Sequence, residues 1–415
     1  MTTLVTRRQA FTALAVLSVI NLLNYLDRYI LAGVMNDVQK TFHLSNAEGG
    51  LLATTFMVVY LVASPIGGFL GDRVPRPMLI GVSVMIWSLA TIASGLTTSF
   101  VMLLVARGLT GVGEAGYGTV APSFISDLFR KEQRGQMLAV FYTAIPLGAA
   151  AGFILGGMLG EKYGWHMAFF VGGAPGVILA LLAFFLQEPA RGGMDEGAPE
   201  KIAFAVGARA LMGNLKFWLI TTGWTLMTFS IGGLSNWMPK FLETERGLSA
   251  TAAGLALGQT TVIGGFAGTI IGGFLGDWLD KKRPGGGVWL SGLGLVIAAP
   301  CMVIAVTTTS ESLMFKMLLA SQFLIFLNNG PLMAALLNSV SPGFRAFAVS
   351  INTLLLHLLG DAASPVLIGY VADQSSLARA IQFNAVPVLL GGLVLCFLAT
   401  RFRSMTPESM APRAV

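Results

Sequence analysis

The sequence predicts an all-α integral membrane protein with twelve transmembrane helices in two similar six-helix halves. Three observations carry this prediction. The 415 residues are 54% hydrophobic and only 11% charged, apolar runs recur along the whole chain, and one seven-residue motif occurs twice, about half a chain apart. A soluble chain of this length would form two or three domains, but this composition is typical of a protein that lies mostly in lipid.

The apolar runs are the predicted spans. A run of about 20 apolar residues crosses the hydrocarbon core of a bilayer. Helices satisfy their own backbone hydrogen bonds, and the runs lack the alternation of barrel strands, so we expect helical spans. Arg7 and Arg8 before the first run resemble the start of a secretory signal, but the run continues past Leu31, which favours a retained helix. The predicted spans are 10–35, 47–71, 77–97, 100–127, 134–160, 166–187, 215–240, 249–276, 285–308, 312–339, 345–372 and 379–402.

The net charge is +6, and the distribution of the basic residues among the loops indicates how the protein is oriented in the membrane. With the N-terminus placed in the cytoplasm, most Lys and Arg residues fall in loops on that side, so the positive-inside rule predicts that both termini are cytoplasmic. This distribution argues against a nucleic-acid partner, and we expect an inner (cytoplasmic) membrane protein. The basic residues on the opposite side are Lys40, Lys162, Lys240, Arg246, Lys316 and Arg379.

Several other classes of site are not indicated. Cys301 and Cys396 each lie inside a predicted span, and the three histidines are scattered, so neither a disulfide framework nor a metal site is expected. Gly111, Gly113 and Gly116 match the dinucleotide fingerprint, but they lie in the middle of a helix and do not follow a strand. No nucleophile and base converge in any span, so we predict no cofactor and no enzymatic activity.

The repeated motif IGGFLGD, at 66–72 and 271–277, belongs to a set of four. An acid follows a small-residue signature at the end of every third span, which indicates a three-helix unit used four times in alternating orientation. Such a plan is typical of secondary transporters, with a central site and alternating access. The four copies are GFLGD at 68–72, GMLGE at 157–161, GFLGD at 273–277 and GYVAD at 369–373.

Between the two halves the apolar pattern is interrupted. Residues 188–214 are rich in Pro, Gly and charged residues, which is typical of a cytoplasmic linker. We therefore predict an N-terminal six-helix half at 1–187 and a C-terminal six-helix half at 215–415.

Two family resemblances rest on these motifs. GFLGDR at 68–73, followed by Arg76, resembles the signature loop of the major facilitator superfamily; in the second copy Trp278 replaces the arginine. The superfamily likeness covers nearly the whole chain. A likeness to the spinster branch is dense in helices one, four, five and eleven. Its motifs are NYLDR at 24–28, RGLTGVGEA at 107–115, AP at 121–122, DLF at 127–129, FYTAIP at 141–146 and HLLGD at 357–361.

Five charged residues inside predicted spans are the first candidates for function, because a charge in lipid is costly unless it is paired or faces a wet cavity. They are Asp27, Arg28, Arg107, Glu114 and Asp361. Asp27 and Arg28 lie in the outer half of helix one at a depth similar to Arg107 on helix four, so they are expected to meet. Arg107 and Glu114 are seven residues apart and point in nearly the same direction.

Helix eleven has a polar face. Ser350, Thr353, His357, Asp361 and Ser364 are three or four residues apart, which predicts that His357 and Asp361 are helical neighbours. The pair is either a proton-handling site or a hydrogen-bonded packing contact.

The candidate roles follow from these positions. A carboxylate whose pairing with an arginine changes can take up or release a proton, so we predict Asp27, Glu114, Asp361 and His357 as proton-coupling residues. The alternative is a permanent structural ion pair. We predict substrate contacts at Arg28, Arg107, Asn24 and Tyr117, since a guanidinium binds phosphate or carboxylate well. The spinster resemblance implies coupling and substrate contact at Asp27, Arg107 and Glu114.

Charged residues at the cytoplasmic helix ends are predicted to gate the inner side. We expect pairs between Asp72 and Arg134 and between Asp277 and Arg345; the alternative is a solvated loop that only sets topology. The predicted gating residues are Asp72, Arg73, Arg76, Arg134, Asp277 and Arg345.

Together these features predict a monomeric secondary transporter driven by an ion gradient, most simply of protons, since no ATP-binding signature is present. The spinster resemblance implies an amphipathic lipid substrate, such as a lysophospholipid or a sphingosine-type lipid phosphate, with membrane lipid around it. Two alternatives stay open. One is a transporter of small organic anions such as sugar acids, and the other is a lipid sensor that binds without transporting.

Overall fold

The computed structural model describes residues 5–191, 209, 211–340 and 345–401. Helices and the turns that join them make up this part of the chain. The helices are α1 (Arg7–Phe42), α2 (Asn46–Gly71), α3 (Arg76–Ser94), α4 (Phe100–Leu128), α5 (Lys131–Tyr142), α6 (Ala144–Tyr163), α7 (Trp165–Phe184), α8 (Leu215–Thr244), α9 (Ala250–Lys282), α10 (Gly286–Thr307), α11 (Glu311–Phe326), α12 (Asn329–Asn338), α13 (Arg345–Leu355), a π-helical turn (Leu356–Asp361), α14 (Ser364–Gln374) and α15 (Leu377–Thr400).

The twelve predicted spans are confirmed as helices, with three of them interrupted. Span five consists of α5 and α6, span ten of α11 and α12, and span eleven of α13, the π-helical turn and α14. Within the described residues, ten helical segments are long and apolar enough to cross a membrane. The other two spans, α4 and α8, are helices of 29 and 30 residues. Most of the predicted linker, at 192–208 and 210, lies outside the described residues.

Local sequence signals set the starts of the first two helices. Thr6 and Gln9 form a capping box at the start of α1, and Ser45 and Glu48 form one at the start of α2. In each box the side-chain oxygen of the first residue accepts a hydrogen bond from the backbone N–H of the second. Helix α1 ends at His43, which adopts the left-handed conformation with φ of 53°.

Span ten is interrupted close to Pro331. Helix α11 ends at Phe326 and α12 starts at Asn329, because proline supplies no backbone donor. The side chain of Asn328 donates hydrogen bonds of 2.9 Å to the carbonyl oxygens of Leu324 and Ile325. The asparagine therefore satisfies carbonyl groups that the interrupted helix leaves without partners.

The chain forms two compact units, one of which combines the first six spans with outer segments of later helices. This first unit comprises residues 1–198, 235–259 and 365–377. In it α1 packs on α6, α2 on α4, and α3 on both α4 and α7. Glycines of α6 let it approach α1 closely, since a Cβ at Gly152 would meet the Leu26 carbonyl oxygen at 2.5 Å and one at Gly156 the Ile30 carbonyl oxygen at 2.8 Å. Such backbone contact fixes the register of α1 against its neighbours.

The second unit comprises residues 199–234, 260–364 and 378–415. Helix α10 packs on α11 and α12. Ser230 of α8 and Asn384 of α15 exchange hydrogen bonds, with the Ser230 hydroxyl donating to the Asn384 carbonyl oxygen at 2.7 Å and the Asn384 side chain donating to the Ser230 carbonyl oxygen at 2.9 Å. These reciprocal bonds join two helices that are far apart in sequence.

Candidate functional site

Two ion pairs connect α1 and α4 inside the first unit. Arg28 Nε lies 2.6 Å from Glu114 Oε2, and Arg107 Nη1 lies 3.5 Å from Asp27 Oδ1. Asp27 and Arg107 are each 1% exposed, and the Glu114 side chain is fully buried. We call these four residues the charged cluster. The structure thus brings together Asp27, Arg28 and Arg107, which the sequence placed at similar depth, and it adds Glu114 from the same face of helix four.

Asp27 has a second partner that the sequence did not indicate. The hydroxyl of Thr91, on α3, donates a hydrogen bond of 2.6 Å to Asp27 Oδ2. Its Oδ1 faces Arg107 at the longer distance of 3.5 Å. A hydrogen bond to the ionised form and a nearby cation both stabilise a carboxylate. Thr91 is one threonine in an apolar helix, so no sequence pattern marks it.

Aromatic rings surround the two arginines of the charged cluster. Arg28 Cζ lies 4.9 Å from the ring centroids of both Tyr25 and Tyr60 and 5.2 Å from that of Phe56. Arg107 Cζ lies 5.1 Å from the Phe56 centroid. Cation–π attraction offsets part of the cost of removing a guanidinium from water. Helix α2 supplies Phe56 and Tyr60, which an apolar pattern does not distinguish from ordinary packing residues.

The charged cluster retains unused hydrogen-bonding capacity. Asn24 Nδ2, Arg107 Nε and Glu114 Oε1 are buried and have no hydrogen-bond partner among the described residues. Among the described residues, Arg28 donates a hydrogen bond only through Nε, to Glu114 Oε2, and its side chain is 15% exposed. Buried polar groups are normally satisfied, and each exception needs a reason such as a catalytic or binding role. The unused oxygen of Glu114 can therefore accept a proton, and the unused donors of Asn24, Arg28 and Arg107 can bind polar groups of a ligand.

Tyr117 is placed differently from the other predicted substrate contacts. Its hydroxyl donates a hydrogen bond of 2.6 Å to the Leu17 carbonyl oxygen, and its ring packs edge-on against Trp87 at 5.4 Å. The side chain is 1% exposed within a hydrophobic core cluster. In this structure Tyr117 packs between α1, α3 and α4.

The Tyr117→Phe variant separates the two roles. Loss of the hydroxyl leaves the Leu17 carbonyl oxygen without its donor, so we expect stability to fall by about 1 kcal/mol. The KM for substrate should stay at the wild-type value. Thermal unfolding in detergent and transport kinetics in proteoliposomes provide the two measurements. A raised KM with unchanged stability would instead assign Tyr117 to substrate binding.

The predicted inner gate contains two acids paired with the buried Arg76. Arg76 lies 2.6 Å from Asp127 Oδ2 and 2.7 Å from Glu188 Oε1, and it also donates a hydrogen bond of 3.0 Å to the Pro189 carbonyl oxygen. We call Arg76, Asp127 and Glu188 the cytoplasmic clasp. It ties the end of α4 and the start of the linker to the start of α3. Sequence analysis predicted Arg76 but did not single out Asp127 or Glu188 as its partners.

The two ion pairs expected at the inner side are not formed in this structure. Arg134 donates a hydrogen bond of 3.0 Å to the Ser126 carbonyl oxygen, and Arg345 donates one of 3.0 Å to the Leu337 carbonyl oxygen. The expected acidic partners, Asp72 and Asp277, are exposed. Both arginines instead bind carbonyl oxygens near the end of the preceding helix, where the helix dipole favours a cation. Arg73 is exposed and lies over the Phe69 ring at 3.4 Å.

In the second unit, His357 and Asp361 are neighbours as predicted. His357 Nδ1 lies 3.0 Å from Asp361 Oδ2, and both side chains are partly exposed, by 29% and 21%. They lie in the π-helical turn of span eleven, and such turns are frequent at functional sites. A Cβ at Gly232 of α8 would lie 2.7 Å from Asp361 Cα, so the glycine lets the two helices approach closely.

These features define the class of the protein. Apolar spans repeated in four triplets, with paired charges and unused polar atoms buried among them, characterise a multi-pass membrane transporter. The family is established by comparison. Residues 17–365 match the profile of the Major Facilitator Superfamily. Relatives that are 34–35% identical to this chain are spinster proteins. The chain belongs to the Major Facilitator Superfamily and, within it, to the spinster family.

Several relatives cover most of the chain. Protein spinster homolog 3 of Danio rerio is 34% identical over 394 residues, which are 90% of this chain and 79% of that protein. The sphingosine-1-phosphate transporter SPNS2 of Xenopus tropicalis is 34% identical over 95% of this chain and 82% of its own. Protein spinster homolog 1 of Homo sapiens is 35% identical over 89% and 76%.

Solved structures show the same fold. A bacterial homologue of the human lysosomal transporter Spinster, described as inward-facing and unoccupied, superposes with a TM-score of 0.89 at 24% identity, covering 98% of this chain and all of that one. The nucleoside transporter NupG superposes with a TM-score of 0.70 at 13% identity, covering 95% and 99%. The predicted fold and family are confirmed by these comparisons.

Proposed function

We propose that this spinster-family transporter is proton-coupled and moves an amphipathic lipid with an anionic headgroup, such as a lysophospholipid or a sphingosine-type lipid phosphate, across the inner (cytoplasmic) membrane. The charged cluster carries the proposal. It holds two acids and two arginines in separate pairs, with polar atoms left unused on Asn24, Arg107 and Glu114.

The arginines are the proposed headgroup ligands. The terminal amino groups of Arg28 make no hydrogen bond to a described residue, while its Nε is held by Glu114. A guanidinium offers two parallel donors to a phosphate or carboxylate. A phosphate bound here would compete with Glu114 for Arg28. The name of the Xenopus relative, a sphingosine-1-phosphate transporter, supports a lipid of this type.

Proton coupling follows from the same competition. A buried carboxylate that loses its arginine is an uncompensated charge in a region of low dielectric constant, so it takes up a proton. The headgroup and the proton thereby become linked at Asp27 and Glu114. His357 and Asp361 form a second proposed proton-handling pair, and their mutual hydrogen bond gives the proton a place to reside.

Proteoliposomes test the proposal. Labelled lysophospholipid should accumulate when a pH gradient is imposed, and a protonophore should abolish the accumulation. A labelled sugar acid is the parallel substrate. If the sugar acid accumulates and the lysophospholipid does not, the lipid assignment is overturned. If lysophospholipid binds but does not move under any gradient, the protein is a sensor, and if it moves independently of pH, proton coupling is overturned.

A further inference from the structure

Two of the four signature acids cap helices that belong to the other half of the sequence. Asp373, at the end of the fourth copy, accepts hydrogen bonds of 2.8 Å from the backbone N–H groups of Asn46 and Ala47, the first residues of α2. Glu161, at the end of the second copy, accepts one of 2.8 Å from the N–H group of Thr251 in the first turn of α9. All of these residues lie in the first unit.

The other two signature acids are unengaged. The carboxylates of Asp72 and Asp277 are exposed and make no hydrogen bond or ion pair with any part of the chain that the structure describes. The charge distribution assigns these two to the inner side and Glu161 and Asp373 to the outer side. In this structure the outer acids are therefore bound and the inner acids are not.

The two capped helices begin with similar sequences. LSNAEGG at 44–50 precedes and opens α2, and LSATAAG at 248–254 precedes and opens α9. In both, the serine hydroxyl accepts a hydrogen bond from the N–H group of the third helical residue. The first N–H groups of a helix have no partner within it, and the helix dipole favours an anion there. Asp373 and Glu161 supply that anion from a separate helix.

The first glycine of each signature copy shows the same division. A Cβ at Gly157 or at Gly369 would collide with the carbonyl oxygen of the first residue of the helix it faces, α9 or α2 respectively. A Cβ at Gly68 or at Gly273 would have no neighbouring atom within 4 Å. Four equivalent positions thus differ in a consistent way, crowded at the outer side and open at the inner side.

Each outer crossing has a second glycine, on the helix that is capped. A Cβ at Gly50 of α2 would meet the Pro365 carbonyl oxygen at 2.5 Å, and one at Gly254 of α9 would collide with the Phe153 carbonyl oxygen. Helices α2 and α14, and likewise α6 and α9, therefore touch backbone to backbone beside the capping acid.

Hydrogen bonds from α8 add to this contact. Lys240 Nζ donates to Gln39 Oε1 at 2.6 Å and to Asn46 Oδ1 at 2.7 Å. Glu243 Oε2 accepts a hydrogen bond of 2.9 Å from Asn36 Nδ2. Lys240 and Glu243 thus each bind a neutral amide, and Lys240 also lies close enough to the Asp373 carboxylate for an attractive charge interaction, which adds to the contact at the outer side.

We propose that the two helix contacts capped by an acid form an outer latch. In one, Asp373 caps α2 beside Gly50 and Gly369; in the other, Glu161 caps α9 beside Gly157 and Gly254. The outer latch holds the outer side of the first unit closed and opens once in each transport cycle. The inference rests on the proposed transport function, but its test reads conformation directly.

The experiment measures the distance between two spin labels at outer helix ends. The labels replace Thr98 and Thr244, which are exposed and take no part in the outer latch, in full-length protein whose Cys301 and Cys396 are changed to serine. Double electron–electron resonance then gives the populations of closed and open outer sides without any substrate.

Conservative acid variants provide the matched comparison. In Glu161→Gln and Asp373→Asn the open-to-closed ratio should rise by about 3- to 10-fold, the range for loss of a charged helix cap. Asp72→Asn and Asp277→Asn, at the equivalent inner positions, should not raise it. Gly369→Leu should raise it further, with Gly273→Leu as its control.

The outcomes are distinct. The outer latch is overturned if the outer acid variants keep the wild-type distance distribution, or if the inner variants raise the open population equally. Because all four acids are exposed, these variants test the inference even if Gly369→Leu does not fold. A shift in the distribution together with no lysophospholipid transport would support the outer latch and overturn the proposed substrate.

Discussion

Asp27→Asn is expected to abolish concentrative transport while leaving exchange across the membrane intact. One pH unit is worth about 1.36 kcal/mol per proton, so coupling to one proton supports an accumulation of about 10-fold in wild-type proteoliposomes. The variant keeps the shape of the side chain and loses its titratable group. Its accumulation ratio should therefore fall to about 1, the equilibrium value for an uncoupled carrier.

The measurement compares accumulation under an imposed pH gradient with exchange of labelled substrate at equal pH. Thr91→Val is the matched control, because it removes the 2.6 Å hydrogen bond to Asp27 Oδ2 but leaves Asp27 and Arg107 in place. We expect that control to remain concentrative. If Asp27→Asn still concentrates substrate, the Asp27–Arg107 pair is a static contact, and Glu114 or Asp361 becomes the candidate proton carrier.

Arg76→Met is expected to cause the largest loss of stability. Its guanidinium bridges Asp127 and Glu188, and the Arg76 side chain is only 4% exposed. Removing one partner of a buried ion pair typically costs about 3–5 kcal/mol, because the opposite charge is left uncompensated. Glu188 is 32% exposed and can be rehydrated, so most of the cost should come from Asp127, which is 12% exposed.

Thermal unfolding of the purified protein in detergent checks this result, and the same loop supplies the control. Arg73 is exposed, and in the described part of the chain its guanidinium interacts with the ring and the carbonyl oxygen of Phe69 at its own helix end. Arg73→Met should change stability by no more than about 0.5 kcal/mol, as is usual for surface positions. Equal midpoints for the two variants would show that the cytoplasmic clasp does not contribute to stability.

Much of the fold could be predicted because lipid imposes strong local rules. Each span must be apolar and helical over about 20 residues, and basic residues must gather on one side. The signature glycines and acids then mark the four triplets. The π-helical turn at 356–361 was not predicted, since π-helical geometry has no simple sequence signal.

The candidate site was predicted only in part. Asp27, Arg28, Arg107 and Glu114 stand out because charges are rare in spans, and the structure places all four in one cluster. Their assigned roles stay predictions. Residues that look like ordinary packing were missed: Thr91, Phe56 and Tyr60 contact the charged cluster from α3 and α2. A threonine or an aromatic residue in an apolar helix carries no mark of what it faces.

The sequence by itself determined the spans, the repeat and the family, because apolar length and motif are properties of consecutive residues; the orientation in the membrane stays a prediction from charge placement. Only the tertiary structure decided which charges pair. Asp27 and Arg28 are adjacent, yet one faces Arg107 and the other Glu114, and Arg76 binds Asp127 and Glu188. Partners on different helices depend on the depth and rotation of each helix, and close glycine contacts between backbones set these through packing.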